Sequence, residues 1–183
     1  MFSGHPSQLT AIGFPALIEH LASLGHQRFL HIAGPTTWSA ARNRSRAYEA
    51  AIAEQGLQSE GIVFGDWSAS SGYESMSRIA ADLQATAVVA ANDQMALGAM
   101  LALSEQGISI PGDVSVTGVD DIPEAAYFSP PLTTLRVDFA AQGRAAVQEL
   151  LGQINRTPRP YGDVLASELI TRRSTGRAPG TLP

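Results

Sequence analysis

The stretch TAVVAANDQMALGAMLALSEQ (residues 86–106) decides the fold class. Its first six residues are small and apolar or β-branched, which is typical of a buried strand, and apolar side chains at helical spacing follow over 92–106. Asn92 and Asp93 stand at the junction, where a side-chain oxygen can cap the first turn of a helix. A buried strand that leads directly into a helix indicates the repeating unit of a parallel sheet.

The same alternation continues on both sides of this stretch. We predict strands at 28–33, 61–64, 86–91 and 114–119, and helices at 15–24, 39–55, 71–83 and 92–106. After Asp120 the pattern changes, with a further helix at 138–153 and a last strand near 164–170. The sequence therefore predicts an α/β fold, a doubly wound and mainly parallel three-layer sandwich with helices on both faces of the sheet.

Composition excludes several classes of protein. The 183 residues carry a formal net charge of −5, with only arginine among the basic residues, so this chain by itself is a poor nucleic-acid binder. The absence of cysteine excludes disulfides and thiolate metal sites. No metal or other cofactor is predicted, because no ligand spacing relates the four histidines His5, His20, His26 and His31.

Motifs for catalysis or export are also missing from the sequence. It contains no dinucleotide fingerprint, no phosphate-binding P-loop and no nucleophile elbow, so we expect no enzyme activity. The neighbouring pair Asp120 and Asp121 is poorly placed for glycoside hydrolysis, which needs two carboxyl groups that face each other. The first twenty residues do not resemble an export signal, and no apolar run could span a bilayer, so a cytoplasmic protein is expected.

Polar side chains follow the predicted strands at the edge where ligands bind in open parallel sheets. An amide and a carboxylate pair with hydroxyls, a guanidinium donates in a planar fork, and an indole covers the apolar face of a sugar ring. We therefore predict a polyol-binding cleft. Its predicted effector-binding residues are Arg42, Trp67, Asn92 and Asp120, joined at the mouth by Trp38 and Phe139.

Each of these residues also has an ordinary structural interpretation. Asn92 or Asp93 can serve only as the cap of its helix. Trp67 can fill the edge of the core. The alternating arginines near the start of helix 39–55 can form a solvated face, with at most one of them turned inward; these are Arg42, Arg44 and Arg46.

The helix at 92–106 is apolar on two sides. One predicted stripe, which can pack on the sheet, holds Ala96, Ala99, Met100 and Leu103, and a second holds Leu97 and Leu101 with Met95. Full burial within the chain is one interpretation. We favour a homodimer contact through the residues Leu97, Met100, Leu101 and Phe128, helped by Tyr127 in a nearby loop.

The sequence resembles the LacI/GalR family of bacterial transcription regulators over nearly its whole length. The similar stretches are SLGHQRFLHIAGP (23–35), ATAVVAANDQMALGAMLALSEQGISIPGDVSVTGVDD (85–121), PPLTTLRVDF (130–139) and LITRRST (169–175). The resemblance implies a periplasmic-binding-protein-like fold of type I, with a cleft for a small effector, usually a sugar. It places Arg42, Trp67, Asn92 and Asp120 at effector-contact positions, and Leu97, Met100 and Phe128 in a dimerisation surface.

The resemblance also predicts how the chain is divided. Residues 1–136 and 159–174 resemble the C-terminal subdomain of the family, and 137–158 resemble a helix that returns from the other subdomain. We expect this helix to expose an apolar patch of Ala145, Val147, Leu150 and Leu151. The headpiece through which family members bind operator DNA has no counterpart in this sequence.

These observations favour the effector-binding and dimerising part of a sugar-responsive LacI-type regulator, in which a sugar or glycoside acts allosterically. A sugar-binding component of an ABC-type transporter is the alternative, since it shares the fold but needs an export signal. A sugar-processing enzyme ranks third.

Overall fold

A computed structural model describes residues 13–155 and 167–180. In this part of the chain helices and strands alternate, with short 3₁₀ turns at Ala80–Asp82 and Pro123–Tyr127. The helices are α1 (Phe14–Ser23), α2 (Ser39–Glu54), α3 (Ala69–Ser77), α4 (Asp93–Glu105) and α5 (Phe139–Ile154). The strands are β1 (Arg28–Ala33), β2 (Gln58–Phe64), β3 (Ala87–Ala90), β4 (Ser115–Asp120), β5 (Thr133–Arg136) and β6 (Glu168–Ile170).

The strands form one sheet in the order β2-β1-β3-β4-β5-β6. Strands β1 to β5 run parallel, and β6 is antiparallel to β5. Because β3 has a neighbour on each side and helices on both faces, its four residues are all buried, as a central parallel strand requires. The predicted α/β class and the mainly parallel sheet are confirmed.

Two apolar cores lie on opposite faces of the sheet. Successive residues of a strand point to opposite faces, so Val88 joins the core under α3 and α4, and Val89 joins the core under α1 and α2. Met76 and Leu103 fill the first core, and Phe14 fills the second. The predicted three-layer arrangement is therefore confirmed.

Helices α3 and α4 pack with their backbones in contact. A Cβ atom on Gly98 would overlap the carbonyl oxygen of Ala69, and a Cβ on Gly72 would overlap the backbone of Met95. This close approach explains why α4 is so apolar, since it is covered both by the sheet and by α3. The prediction that Met95 shares a stripe with Leu97 and Leu101 is wrong, because Met95 is fully buried whereas the two leucines are exposed.

Several element boundaries differ from the sequence prediction. Helix α3 begins two residues early, because the Ser68 hydroxyl accepts a hydrogen bond from the Ser71 N–H and caps it. It ends at Ser77 rather than near 83, and a 3₁₀ turn follows. Strand β5 was not predicted, because Thr133 and Thr134 are polar although both are fully buried.

Helix α5 carries the expected apolar face. Val147, Leu150, Leu151 and Ile154 are each more than half exposed. The side chain of Ala145, residues 156–166 and the first part of the predicted last strand lie outside the described residues. The division of the chain into 1–136, 137–158 and 159–174 remains a prediction.

Candidate functional site

Polar side chains meet where the parallel strands end. The Arg44 guanidinium lies 3.4 Å from a carboxylate oxygen of Asp120, at the end of β4, and 5.6 Å from the ring centroid of Trp67, which follows β2. Asn92, after β3, donates a hydrogen bond of 2.9 Å to the Trp67 carbonyl. The carboxyl edge of the sheet thus brings together a guanidinium, an indole, an amide and a carboxylate. We call Arg44, Trp67, Asn92 and Asp120 the cleft cluster.

The structure brings Arg44, and not Arg42, into the cleft cluster. Arg42 is exposed on α2 and donates a hydrogen bond of 2.8 Å to the carbonyl oxygen of Thr36. Arg44 is 5 % exposed and also donates to the carbonyl oxygen of Ala91. Helix geometry explains the difference, since the buried residues of α2 recur with a spacing of three or four that includes position 44 and excludes 42.

Trp67 is held by a close contact with the end of β1. A Cβ atom on Gly34 would overlap the Trp67 ring, so only glycine allows the indole to lie against this backbone. Trp67 has a backbone φ of 78°, which a residue with a Cβ rarely adopts and which costs about 1–3 kcal/mol. Strain of this kind persists where the surroundings fix it, and it is common at ligand sites.

Trp38 covers the outer side of this indole. The two rings meet edge to face with centroids 6.3 Å apart, and Trp38 is 59 % exposed. The structure thus places Trp38 beside Trp67 at the surface, and its role at the mouth of a binding site remains a prediction. Phe139 is 55 % exposed at the first residue of α5, and no ring contact or side-chain hydrogen bond among the described residues joins it to the cleft cluster.

Asn92 performs the capping role that was its ordinary interpretation. Its Oδ1 atom accepts a hydrogen bond of 2.9 Å from the Met95 N–H, while its Nδ2 atom holds the Trp67 carbonyl. An amide has two donors and two oxygen lone pairs, so one of each is left after these bonds. Capping and ligand contact are therefore compatible in this side chain.

Asp93 lies beneath the turn that follows β4. Its carboxylate accepts hydrogen bonds from the Thr134 hydroxyl at 2.5 Å and from the Ile122 N–H at 2.9 Å. The turn has positive φ at Asp120 (112°) and Asp121 (52°), and these two hydrogen bonds fix it against α4 and β5. Asp93 thus positions the backbone from which Asp120 reaches the cleft cluster.

Burial changes the acidity of this region. It is the main cause that raises the pKa of Asp93 to about 7; the hydrogen bonds from Thr134 and Ile122 oppose the rise, and the charges of Asp120 and Asp121 add to it. Burial also raises the pKa of Asp120, and the Arg44 charge opposes that rise. The Arg44–Asp120 pair therefore holds opposite charges in a largely desolvated place, where hydrogen bonds to charged groups are strong.

Two buried donors of the cleft cluster lack a protein partner. Among the described residues, neither the Arg44 Nε atom nor the Trp67 Nε1 atom has a hydrogen-bond acceptor. An unsatisfied buried donor costs about 1–3 kcal/mol, so such atoms are uncommon in a core that serves only for packing. The Trp67 ring lies against the same guanidinium that pairs with the Asp120 carboxylate. The arrangement can hold a small molecule that is rich in hydroxyl groups.

The residues predicted for a dimer contact fall into two groups. Leu97 and Leu101 are 41 % and 53 % exposed on α4, one helical turn apart. Met100 and Phe128 are 4 % and 9 % exposed, so their own chain already covers them. Tyr127, beside Phe128, is 87 % exposed. Of the residues considered for this contact, the ones that expose apolar surface are Leu97, Leu101 and Tyr127.

A metal-binding group or a membrane-spanning helix among the described residues would indicate another function. No group of three histidine or acidic residues there could hold a metal ion. No helix in the same ranges is both long and apolar enough to cross a membrane.

Comparison with known proteins gives a consistent result. Residues 18–175 match the profile of the family described as periplasmic binding protein-like domain. The chain is 38 % identical over 165 residues to the lactose operon repressor of Escherichia coli. This alignment covers 90 % of this chain and 46 % of that protein. The chain is also 38 % identical over 169 residues to the transcriptional regulator MalR of Streptomyces coelicolor, covering 89 % and 49 %. The chain spans about half the length of the curated relatives it matches.

Solved structures agree with these sequence relatives. The crystal structure of the lac repressor dimer bound to operator and the anti-inducer ONPF superposes with a TM-score of 0.85 at 35 % identity, covering 91 % of this chain and 59 % of that one. A LacI-family regulator from Bifidobacterium animalis superposes with a TM-score of 0.83 at 29 % identity, covering 92 % and 62 %. The chain therefore belongs to the family of periplasmic binding protein-like domains, in the form found in LacI-type transcription regulators.

Proposed function

We propose that this chain is the effector-binding and dimer-forming part of a sugar-responsive LacI-type transcription regulator, with a sugar or glycoside bound at the cleft cluster. The observation that carries the proposal is the pair of buried, unpartnered donors on Arg44 and Trp67, whose guanidinium and indole lie against each other while Arg44 pairs with the Asp120 carboxylate. Hydroxyl groups of a sugar can accept from both donors and donate to the carboxylate. The same molecule offers an apolar C–H face to the indole.

The assignment of roles follows the geometry. Arg44 takes the place that the sequence pattern gave to Arg42, because Arg44 alone reaches Asp120. Asp120 accepts hydrogen bonds from sugar hydroxyls, and Trp67 covers the apolar face of the sugar ring. Asn92 contributes the one N–H donor and the one oxygen lone pair that its cap and the Trp67 carbonyl leave free. Trp38 covers the outer side of the binding site, next to Trp67. Phe139 is the effector-binding residue that we propose from α5.

Regulation would follow from unequal affinity for two arrangements of the protein. A sugar shifts a conformational equilibrium only by the difference between its affinities for the two states. The exposed apolar face of α5, which includes Leu150 and Leu151, is the surface through which we propose that this half of the cleft meets a second subdomain. Operator DNA would be bound through a separate headpiece, in a cytoplasmic protein.

The relatives favour this role over a transporter component or an enzyme. The sequence relatives described above are named as repressors and transcriptional regulators, among them the lactose operon repressor and MalR. A homodimer through Leu97, Leu101 and Tyr127 fits the same role, with Met100 and Phe128 supporting the contact from beneath.

Tryptophan fluorescence provides the test, because Trp38 and Trp67 are the only two indoles of the chain. We expect saturable quenching or enhancement by at least one sugar in a panel of galactosides, glucosides and pentoses. Arg44→Gln should weaken that sugar by about tenfold, since a charge-assisted hydrogen bond is lost. Arg42→Gln should change its affinity by less than about twofold, as expected for an exposed charge.

Folding must be separated from binding in this test. Arg44 is buried, so the Arg44→Gln protein is compared with Asp120→Asn by circular dichroism, and at least one of the two is expected to remain folded. No response of the folded wild type to any sugar would exclude the site. A larger loss with Arg42→Gln than with Arg44→Gln would reverse the assignment of the two arginines.

A further inference from the structure

We propose that a groove between α2 and the edge strand β2 is a second ligand site, which takes a small organic anion: a phosphate or carboxylate group on an apolar body. The groove encloses about 250 Å³, which suits a ligand smaller than a typical drug. It is lined by Gly34, Thr36, Ala41, Arg42, Ser45, Arg46, Glu49, Ile62 and Phe64. This inference is independent of the proposed sugar site.

Two arginines supply the charge for an anion. Arg42 and Arg46 are one helical turn apart on α2, so their positive charges repel each other in the free protein. Arg42 makes a single hydrogen bond, to the Thr36 carbonyl, and Arg46 makes no hydrogen bond or ion pair among residues 13–155 and 167–180. A phosphate or carboxylate between them would accept from two guanidinium forks and remove the repulsion. The Ser45 hydroxyl lies on the same stripe and can also donate.

The floor of the groove is apolar. Ile62 and Phe64 are alternate residues of β2, so their side chains lie on the same face of the strand. Phe64 is 55 % exposed, and among the described strands β2 is at the edge of the sheet, with β1 as its one neighbour. A single exposed aromatic residue is ordinary. An exposed ring next to two guanidinium groups is suited to a ligand that has both an aromatic or aliphatic body and a negative group.

Glu49 gives the groove a direction. It lies one helical turn beyond Arg46 on the same stripe, so a carboxylate closes the end opposite Arg42. The anionic group of a ligand is therefore expected at the end formed by Arg42 and Arg46, and the apolar body over Phe64. Removal of the Glu49 charge should strengthen the binding of an anion.

The groove and the cleft cluster share one boundary. Gly34 lines the groove and also contacts the Trp67 ring. Arg44 belongs to the cleft cluster, whereas Arg42 and Arg46 lie on a different stripe of α2. A ligand in the groove should therefore change the fluorescence of Trp67 without occupying the place of a sugar.

Calorimetry at constant ionic strength with phenyl phosphate, benzoate, inorganic phosphate and phenol tests the proposal. We expect saturable binding of phenyl phosphate with a Kd on the order of 1 mM, which is reasonable for a ligand of this size. Benzoate should also bind. Inorganic phosphate should bind more weakly, since it lacks the apolar body, and phenol should not bind measurably, since it lacks the charge.

Variants locate the site. Arg46→Gln should weaken phenyl phosphate about tenfold, because Arg46 has no other role in the described chain. Phe64→Ala should weaken phenyl phosphate and leave inorganic phosphate unchanged, and Glu49→Gln should strengthen both. Arg78→Gln is the control and should have no effect, since Arg78 is an exposed arginine directly after α3. Equal affinity of wild type and Arg46→Gln, or no saturation by phenyl phosphate, would overturn the proposal.

Discussion

The hydroxyl of Thr134 on β5 donates a 2.5 Å hydrogen bond to the fully buried carboxylate of Asp93 at the start of α4. This bond joins β5, a strand at the edge of the parallel part of the sheet, to the first residue of α4. The second oxygen of Asp93 holds the backbone of Ile122 in that turn. One buried acid therefore connects the core of the fold with the candidate site.

We predict that Asp93 makes the protein less stable as the pH rises from about 4 to about 7. The pKa of Asp93 in the folded protein is about 7, above the usual value near 3.8, so the folded state keeps a proton that the unfolded chain has already lost. The stability contributed by neutral Asp93 is complete below about pH 4 and is lost as the pH rises through 7. Asp120, Asp121 and Arg44 are the charged groups that act on this carboxyl.

Urea unfolding of wild type and Asp93→Asn between pH 4.5 and 8 measures this effect. The amide that this substitution introduces cannot ionise, and it can still bond both Thr134 and the Ile122 N–H. We expect the variant to gain on the order of 2 kcal/mol relative to wild type between the two ends of this range. A difference that does not change with pH would show that Asp93 is already ionised throughout.

His31 should produce the opposite dependence. Burial, helped by the charge of Arg44 and opposed by a hydrogen bond to the Val89 carbonyl, lowers the pKa of His31 to about 4. The folded state therefore holds His31 neutral, and this contribution to stability is complete above about pH 6.5 and is lost as the pH falls toward 4. The ring is stacked on Tyr48 at 4.9 Å and meets Phe14 edge to face at 5.6 Å.

His31→Phe keeps an aromatic ring between these neighbours and removes the titrating group. The free energy of unfolding of wild type should fall on the order of 2 kcal/mol more than that of the variant between pH 7 and pH 4.5. Denaturant unfolding at both values checks this. Parallel losses in the two proteins would mean that His31 is protonated without penalty.

Local patterns were enough to predict the order of most elements, because strands such as β3 and helices such as α4 carry their periodicity in adjacent residues. Strand β5 lacks such a pattern. Thr133 can be buried because its backbone N–H donates to the Ser174 hydroxyl, 41 residues later, and its own hydroxyl forms a hydrogen bond with that of Thr175, 42 residues later. A polar strand that is satisfied by distant partners cannot be predicted from its own sequence.

In the candidate site, too, some residues could be predicted from the local sequence, and others depend on contacts between distant segments. Trp67, Asn92 and Asp120 were predicted from their positions after strands, and the structure brings them together. Arg44 was missed in favour of Arg42, although the spacing of Ala41, Arg44 and Tyr48 places Arg44 on the inner face of α2. The role of Asp93 required the tertiary fold, since Thr134 and Ile122 come from other elements.

Two glycines on helices should respond to alanine with opposite signs. Gly98→Ala introduces a Cβ into the backbone of α3 and should lower the free energy of unfolding by about 2 kcal/mol or more. Gly143→Ala, within α5, meets no atom of the described residues within 4 Å and should raise the free energy of unfolding by about 0.5–1 kcal/mol, because alanine favours the helix. Thermal or urea unfolding of the two variants provides the comparison. Stabilisation by Gly98→Ala would show that α3 and α4 are further apart than described.

Leu97→Asp should convert a dimer into a monomer. Leu97 and Leu101 are exposed on α4 although the other apolar residues of that helix are buried, so an apolar contact between copies is the use that we infer for them. A carboxylate buried in such a contact without a partner costs about 3–5 kcal/mol, because its charge is uncompensated. Ala50→Asp adds the same charge on the exposed side of α2 and should leave association unchanged. Sedimentation velocity of wild type, Leu97→Asp and Ala50→Asp measures the association. If Leu97→Asp remains a dimer, or if Ala50→Asp dissociates, the interface lies elsewhere.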